Sequence, residues 1–127
     1  MKRRHRAIGK PTKAEQAHQD RQRELGCAMC SLLELRIACG PTEIHHRTIG
    51  DLHGNLQLGH DCTVALGAWH HRGAILPSYT GETMRMAFGP SLAKHKRAFL
   101  DLLWESLGVR STEALQAWQD AQLEEAA

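Results

Sequence analysis

The chain has 127 residues, which is enough for one compact domain with short terminal extensions. Apolar residues make up 42% of the chain and aromatic residues only 5%, so the expected core is small and a bound metal ion would help to organise it. The net charge is only +2. No stretch approaches the roughly 20 apolar residues of a membrane span, and no apolar segment follows the basic N-terminus. We therefore expect a cytoplasmic protein with no membrane contact.

The first predicted region, residues 1–25, is a basic arm that leads into a polar helix. Thr12 and Glu15 have the spacing of a capping box, which predicts a helix from about Lys13 to Leu25. This helix has few apolar residues, so we expect it to lie on the surface or to form only with a partner. A basic arm neutralises phosphates on nucleic acid, although a solvated terminus without a partner has the same composition. The cations that precede the first carboxylate are Lys2, Arg3, Arg4, Arg6, Lys10 and Lys13.

The central region, residues 26–108, concentrates side chains that bind metal ions. Cys27 and Cys30 are separated by two residues in the manner of zinc ligands, and in a reducing cytoplasm we expect them to bind a metal rather than to form a disulfide. Six of the nine histidines lie between positions 45 and 71. Imidazole and thiolate are common zinc ligands, and imidazole also transfers protons near neutral pH. The pattern therefore predicts a metal site with a catalytic role.

Two pairs of adjacent histidines lie in predicted secondary structure. A short predicted strand carries His45 and His46, whose side chains then point to opposite faces, so one can bind a metal ion while the other acts as a general base. After a glycine-containing loop, residues 63–71 are predicted to form a short helix that carries His70 and His71, about 100° apart. A simple two-Cys, two-His zinc finger fits badly, because its histidines are about three to five residues apart.

The last predicted elements are helices. A linker over residues 77–89 precedes a helix predicted over residues 91–108, which begins with a capping serine and ends at a glycine. Ser111 or Thr112 can cap a final helix in residues 109–127. The elements together predict an α+β fold in which helices flank a small metal module.

Four motifs carry a resemblance to a known family. They are Cys27-Ala-Met-Cys30, Glu43-Ile-His-His46, Leu66-Gly-Ala-Trp-His-His-Arg-Gly73 and Gly89-Pro-Ser-Leu92. In this order they resemble the motifs of HNH endonucleases, and more narrowly those of the recombination enhancement (Ref) family of phage-associated, RecA-dependent nucleases. The resemblance covers most of the chain outside its two ends.

The resemblance implies a ββα-metal fold, similar to a treble clef, around one catalytic divalent cation, which can be Mg²⁺, Mn²⁺ or Zn²⁺. It implies that His45 and His71 bind this cation and that His46 is the general base that activates water, as phosphodiester hydrolysis requires. The implied partners are DNA and a RecA-type recombinase filament. The ligands implied for a second, structural zinc are Cys27, Cys30 and His70.

The chain departs from the family pattern at two positions. Gly67 stands where the family has a zinc-binding cysteine, and Cys62 stands where it has the Asn or His that orients the base. The structural zinc can therefore recruit Cys62 or Cys39 as a ligand, or it can be absent. His60, beside Asp61, is a candidate for an additional metal ligand or for a group that orients a ligand.

Two functional classes are compatible with these patterns. The favoured class is a metal-dependent DNA endonuclease of the HNH type, and the other is a non-catalytic, zinc-stabilised DNA-binding or adaptor protein. Both predict DNA binding that weakens with salt, but only the nuclease requires His46 for turnover. The residues predicted to contact nucleic acid are Lys2, Arg3, Arg4, Arg6, Arg47 and Arg72.

Overall fold

Two β-strands and six α-helices form in the part of the chain that the structure describes, which is residues 9–51 and 56–126 of a computed structural model. The strands are β1 (Thr42–His46) and β2 (Thr63–Gly67), and a short 3-10 helix (Ile49–Asp51) follows β1. The helices are α1 (Lys13–Leu25), α2 (Ala28–Leu32), α3 (Ala68–Arg72), α4 (Gly81–Phe88), α5 (Lys96–Leu107) and α6 (Thr112–Ala126). The predicted α+β class is therefore confirmed.

β2 runs directly into α3, which corrects the helix predicted over residues 63–71. All five residues of β2 are buried, and the β-branched side chains of Thr63 and Val64 favour an extended backbone. β2 pairs antiparallel with β1, with His46 opposite Thr63. The chain becomes helical only after Gly67, the N-cap residue of α3. As a result, one histidine pair lies on β1 and the other lies on a helix that begins where β2 ends.

Glutamine side chains from α1 and α6 cover the edge of β2 that does not pair with β1. The Gln22 amide donates to the Thr63 carbonyl at 2.8 Å, and the Thr63 hydroxyl donates back to Gln22 at 2.8 Å. The Gln119 side chain accepts from the Ala65 amide at 2.9 Å and donates to the Gly26 carbonyl at 3.0 Å. These bonds satisfy backbone groups that an unpaired edge would leave open. The predicted polar helix α1 is thus held against the module by hydrogen bonds between amide groups.

The predicted linker contains α4, and the helix after it begins later than predicted. Thr80 caps α4 with its side chain. α5 begins at Lys96 rather than directly after Ser91, because a turn lies between them in which the Lys94 amide donates to the Ser91 hydroxyl at 3.1 Å. α6 begins at Thr112, as predicted from its capping residues.

The apolar core joins β2 and α3 to the other helices. Trp69 of α3 is fully buried, and its indole N–H donates to the Gly89 carbonyl at 2.9 Å. Phe99 and Leu103 of α5 and Leu115 of α6 belong to the same buried cluster. Because α3 carries both a core tryptophan and the second histidine pair, the core fixes where those histidines lie.

Candidate metal and histidine sites

Four buried side chains meet near α2, the loop before β1, and α3, and their ligand atoms all lie within 4.8 Å of one another: Cys27, Cys30, Cys39 and His70. Nδ1 of His70 is 3.3 Å from Sγ of Cys27 and 3.5 Å from Sγ of Cys30. Sγ of Cys39 is 4.0 Å from Sγ of Cys27. Around a tetrahedral zinc ion, two sulfur ligands would be about 3.8 Å apart and a sulfur and a nitrogen about 3.6 Å apart. This Cys3His group therefore has the spacing and the chemistry of a metal-binding site.

Local structure turns the first two sulfurs of the Cys3His group toward each other. Cys27 is the N-cap residue of α2, and its Sγ accepts a hydrogen bond from the Cys30 amide at 3.4 Å. The two-residue separation thus spans the first turn of a helix. Cys39 comes from the loop before β1, and His70 comes from the middle of α3. A cation held here would tie three separate segments together.

A hydrogen bond also fixes the ring of His70. Its Nε2 lies 2.7 Å from the Phe88 carbonyl oxygen, which can only accept a hydrogen bond. In the neutral ring Nε2 therefore carries the proton, and Nδ1 keeps its lone pair on the side of the sulfurs. This is the tautomer that a metal ligand bound through Nδ1 needs.

Titration of the Cys3His group depends on whether a cation is bound. Burial raises the pKa of the Cys27 thiol, whereas hydrogen bonds from Cys27 and Cys30 lower the pKa of Cys39. Burial alone would lower the pKa of His70, but hydrogen bonding to Cys30 and Cys39 outweighs burial and raises this pKa to about 9. Without a metal, the group therefore favours a thiolate beside an imidazolium. A bound cation would displace the imidazolium proton and supply the positive charge beside the thiolates.

Cys39 fills the space that a side chain at position 67 would need. A Cβ atom on Gly67 would overlap Sγ of Cys39 and would lie 3.6 Å from Cβ of Cys27. Of the two replacements considered from the sequence, Cys39 belongs to the Cys3His group and Cys62 does not. Cys62 precedes β2, at the opposite end of the strand from Gly67 and about 16 Å away along an extended backbone.

A second cluster, made of histidines, forms where β1 and α3 meet. The ring centroids of His45 and His71 are 5.1 Å apart. Two imidazoles that bind one cation through nitrogen have ring centres about 5 Å apart. Nδ1 of His71 donates to the Glu43 carboxylate at 2.8 Å, so Nε2 of the neutral ring keeps its lone pair. The spacing of the His45 and His71 rings is therefore compatible with one shared cation, and the catalytic metal stays a prediction.

Glu43 orients His71 and supports the charge balance of this cluster. Arg72 also donates to the Glu43 carboxylate, at 2.9 Å. Burial alone would raise the pKa of Glu43, but the bonds from His71 and Arg72 outweigh it and lower this pKa. Burial, reinforced by the neighbouring His71, lowers the pKa of His45 to about 4. At neutral pH the cluster therefore has an ionised carboxylate and a neutral His45, as metal binding requires.

His46, the predicted general base, pairs with His60 rather than with the other two rings. Nε2 of His46 is 3.0 Å from Nδ1 of His60, and the two rings are nearly perpendicular. Burial lowers the pKa of His46, and the imidazoles of His60 and His71 lower it further. His46 is therefore neutral at neutral pH, which is the state that a general base needs.

The predicted nucleic-acid contacts fall in different environments. Arg72 has a side chain that is 61% exposed, at the edge of the histidine cluster. Arg47 is only 8% exposed and donates to Gln116 of α6 at 2.7 Å, so it fastens the end of β1 to α6 and has little surface to offer a phosphate. Outside the described residues lie Lys2, Arg3, Arg4 and Arg6.

Sequence reasoning did not find the role of Glu43 and left that of His60 open. A signal for Glu43 was present, because residues two apart on a strand share a face and Glu43 therefore lies on the face of His45. No comparable signal pointed to the carbonyl of Phe88 as the partner of His70, since any residue carries a carbonyl. Such contacts follow from how α3 and α4 pack.

Within the part of the chain that the structure describes, no helix is both long and apolar enough to cross a membrane. A comparison of the chain with models of known protein families, with curated proteins and with solved structures finds no match in any of the three. The chemistry of the two sites is therefore interpreted from their own geometry.

Proposed function

We propose that the protein is a metal-dependent endonuclease of the HNH type that hydrolyses phosphodiester bonds in DNA. One observation carries this proposal: the ring centroids of His45 and His71 are 5.1 Å apart, and His46, whose pKa is lowered by burial, follows His45 directly on β1. The order β1, β2, α3 supports a ββα-metal module. The resemblance to the Ref family adds a proposed setting, which is phage-linked recombination together with RecA filaments.

The side chains suit the chemistry of phosphodiester hydrolysis, which needs an activated water and a counter-charge for the phosphate. A divalent cation bound by His45 and His71 (Mg²⁺, Mn²⁺ or Zn²⁺) would supply Lewis acidity and that counter-charge. His46 takes the proton from the attacking water. Arg72, exposed beside His71, can donate to a phosphate oxygen of the substrate.

We propose zinc as the ion of the Cys3His group. Three sulfurs and one imidazole complete a tetrahedral shell, and all four residues are buried, which is typical of a structural zinc site rather than a catalytic one. The group contains His70, the direct neighbour of His71 on α3. A zinc ion there would hold the catalytic helix in place without taking part in the reaction.

A plasmid-nicking assay with Mg²⁺, Mn²⁺ or Zn²⁺ tests the proposed activity. His46→Ala should lower the cleavage rate by about 10²–10⁴-fold, the usual contribution of a general base, while zinc content and Tm stay close to those of the unaltered protein. His18→Ala is the matched control, because His18 lies on α1 and pairs with Asp120 of α6. Unchanged nicking by His46→Ala would remove His46 from the mechanism.

The same assay separates the nuclease from the non-catalytic alternative. A protein that binds zinc and duplex DNA but nicks with none of the three cations, with or without RecA-type filaments, would be a zinc-stabilised DNA-binding or adaptor protein. The Cys3His group would serve either protein equally. Only the nuclease gives a reason for the paired His45 and His71.

A further inference from the structure

His46, His60 and the backbone at Gly9 form a chain of hydrogen bonds. Nε2 of His46 lies 3.0 Å from Nδ1 of His60. Nε2 of His60 lies 2.7 Å from the carbonyl oxygen of Gly9, in the segment that precedes α1. Both ring nitrogens of His60 thus have a hydrogen-bond partner, and these two bonds fix the orientation of the ring. This chain therefore connects the proposed general base to a backbone carbonyl in the segment before α1.

The carbonyl sets the direction of every proton in this chain. A carbonyl oxygen only accepts, so Nε2 of His60 must donate to Gly9. In a neutral His60, Nδ1 is then the acceptor, and Nε2 of His46 must donate to it. A neutral His46 with its proton on Nε2 keeps its lone pair on Nδ1. One backbone carbonyl thus determines which nitrogen of His46 can take a proton.

Contacts on its other sides hold His60 in place. The Gln19 side chain of α1 donates to the His60 carbonyl at 3.0 Å, and Gln19 is itself buried. Gly9 has φ +67°, a backbone conformation that favours glycine, and among the described residues no atom beyond its chain neighbours lies within 4 Å of the place where its Cβ would be. The position of the Gly9 carbonyl therefore depends on backbone conformation and not on packing around a side chain.

We propose that His60 is a positioning residue, which orients the His46 ring and selects the tautomer with a free lone pair on Nδ1. This inference rests on the proposed function, since it assigns to His46 the proton transfer of the nuclease. The family pattern has an Asn or His at position 62 to orient the base. In this chain position 62 is a cysteine, and His60 orients the base in its place.

Ring spectra test the tautomer without any need for cleavage. In zinc-loaded protein with ¹⁵N-labelled histidine at neutral pH, His46 should show one tautomer, protonated at Nε2 and bare at Nδ1. His60→Leu removes the acceptor and should give a mixture of tautomers. His60→Asn keeps an acceptor at the same distance from the backbone and should retain the single tautomer. A His46 ring protonated at Nδ1, or one that does not change in His60→Leu, would overturn the inference.

Cleavage rates test whether positioning matters for the reaction. At saturating metal and DNA, His60→Leu should slow single-turnover nicking by about 10- to 100-fold, the size expected when a reacting group is misplaced by about 1 Å. His60→Asn should recover most of that loss. In the His46→Ala background, His60→Leu should have no further effect, because His60 acts through His46. An equal loss in that background would show that His60 acts independently and would overturn the proposal.

Gly9→Ala is a second test that leaves both rings intact. Alanine at φ +67° is strained, so the carbonyl should shift and the His46 tautomers should mix. Gly108→Ala is the matched control, with φ +78° and equally open space at the end of α5. If no variant of the protein nicks DNA, the proposed function fails, and the ring spectra alone then decide on the hydrogen-bond chain.

Discussion

At the scale of single residues, Cys39 and Gly67 form a complementary pair. Sγ of Cys39 occupies the volume that any side chain at position 67 would need. The absence of a side chain at Gly67 is thus what allows a loop cysteine to enter the Cys3His group. A glycine at position 67 therefore makes room for Cys39 in the Cys3His group.

Cys39→Ser should remove a metal ligand, whereas Cys62→Ser should not. Loss of a residue that only supports a ligand lowers metal affinity by roughly 10- to 100-fold. Since Cys39→Ser removes a ligand itself, we expect a larger loss of zinc affinity and a lower Tm. Zinc content by metal analysis and Tm by circular dichroism measure both effects. Cys62→Ser is the matched control, because Cys62 lies outside the Cys3His group. Greater zinc loss from Cys62→Ser than from Cys39→Ser would show that Cys39 is not the residue that completes the set of zinc ligands.

The complementarity of Cys39 and Gly67 predicts non-additive stability changes. Gly67→Ala should destabilise the protein by roughly 1–3 kcal/mol or more, as overpacking does, since its Cβ overlaps Sγ of Cys39. Cys39→Ala should also destabilise the protein, through loss of a proposed metal ligand. The double variant should be more stable than the sum of the two changes implies, because the overlap is gone. Urea unfolding of all four proteins measures the coupling, and strict additivity would mean that the two residues do not compete for space.

For the Cys3His group, the sequence predicted Cys27, Cys30 and His70, but it left the fourth residue open between Cys39 and Cys62. Cys27 and Cys30 share the first turn of a helix, so their local spacing alone indicated that they form one site. Cys39 lies in an irregular loop, where no period fixes the direction of a side chain. Its role depends on the packing of that loop against Gly67, which only the folded chain determines.

At the scale of secondary-structure elements, the glutamine contacts along β2 should be essential to stability. Gln22→Leu would leave the carbonyl and the hydroxyl of Thr63 without their partner in the interior. With about 1–3 kcal/mol for each of these two unsatisfied groups, the unfolding free energy should fall by about 2–6 kcal/mol. Gln16→Leu on the exposed side of α1 is the control and should change it by less than about 0.5 kcal/mol. Similar urea midpoints for both variants would show that apolar contacts hold α1.

Elements with a local signal were predicted well, and β2 was not. The capping box of Thr12 and Glu15 and the terminating Gly26 marked both ends of α1. Residues 63–71 contain mostly apolar residues in a short run, which suits a buried strand or a buried helix equally. Pairing with β1 makes residues 63–67 a strand rather than a helix. Because this pairing joins residues about 20 positions apart, a local pattern does not reveal it.

At the scale of the whole molecule, removing zinc should unfold the domain. The Cys3His group joins α2, the loop before β1, and α3, and α3 is anchored in the core by Trp69. A strong chelator should therefore abolish the helical circular dichroism signal and the cooperative melt, and added zinc should restore both. A stably folded preparation that contains no zinc on metal analysis would contradict this expectation.

The basic arm can be tested on the same scale by its effect on DNA binding. Replacing four of its six cations with glutamine should leave Tm nearly unchanged, because such a run contributes little to a core. The log–log salt slope of duplex binding should fall by about 0.9 for each phosphate that the arm no longer neutralises, as fluorescence anisotropy at several salt concentrations can show. An unchanged slope would assign DNA binding to the module, where Arg72 and Lys94 are exposed. The cations to be replaced are Lys2, Arg3, Arg4 and Arg6.

The use of Cys39 as a ligand also affects the order in which the chain can fold. Cys39 follows Cys30 by nine residues, whereas position 67 follows it by 37. Closing the shorter loop costs roughly 1 kcal/mol less in chain entropy. A zinc ion can therefore gather three sulfurs before β1 and β2 have paired, and even before the ribosome has completed β2. His70 is the last of the four residues in the sequence, so we expect the three sulfurs to bind a metal first and His70 to join with α3.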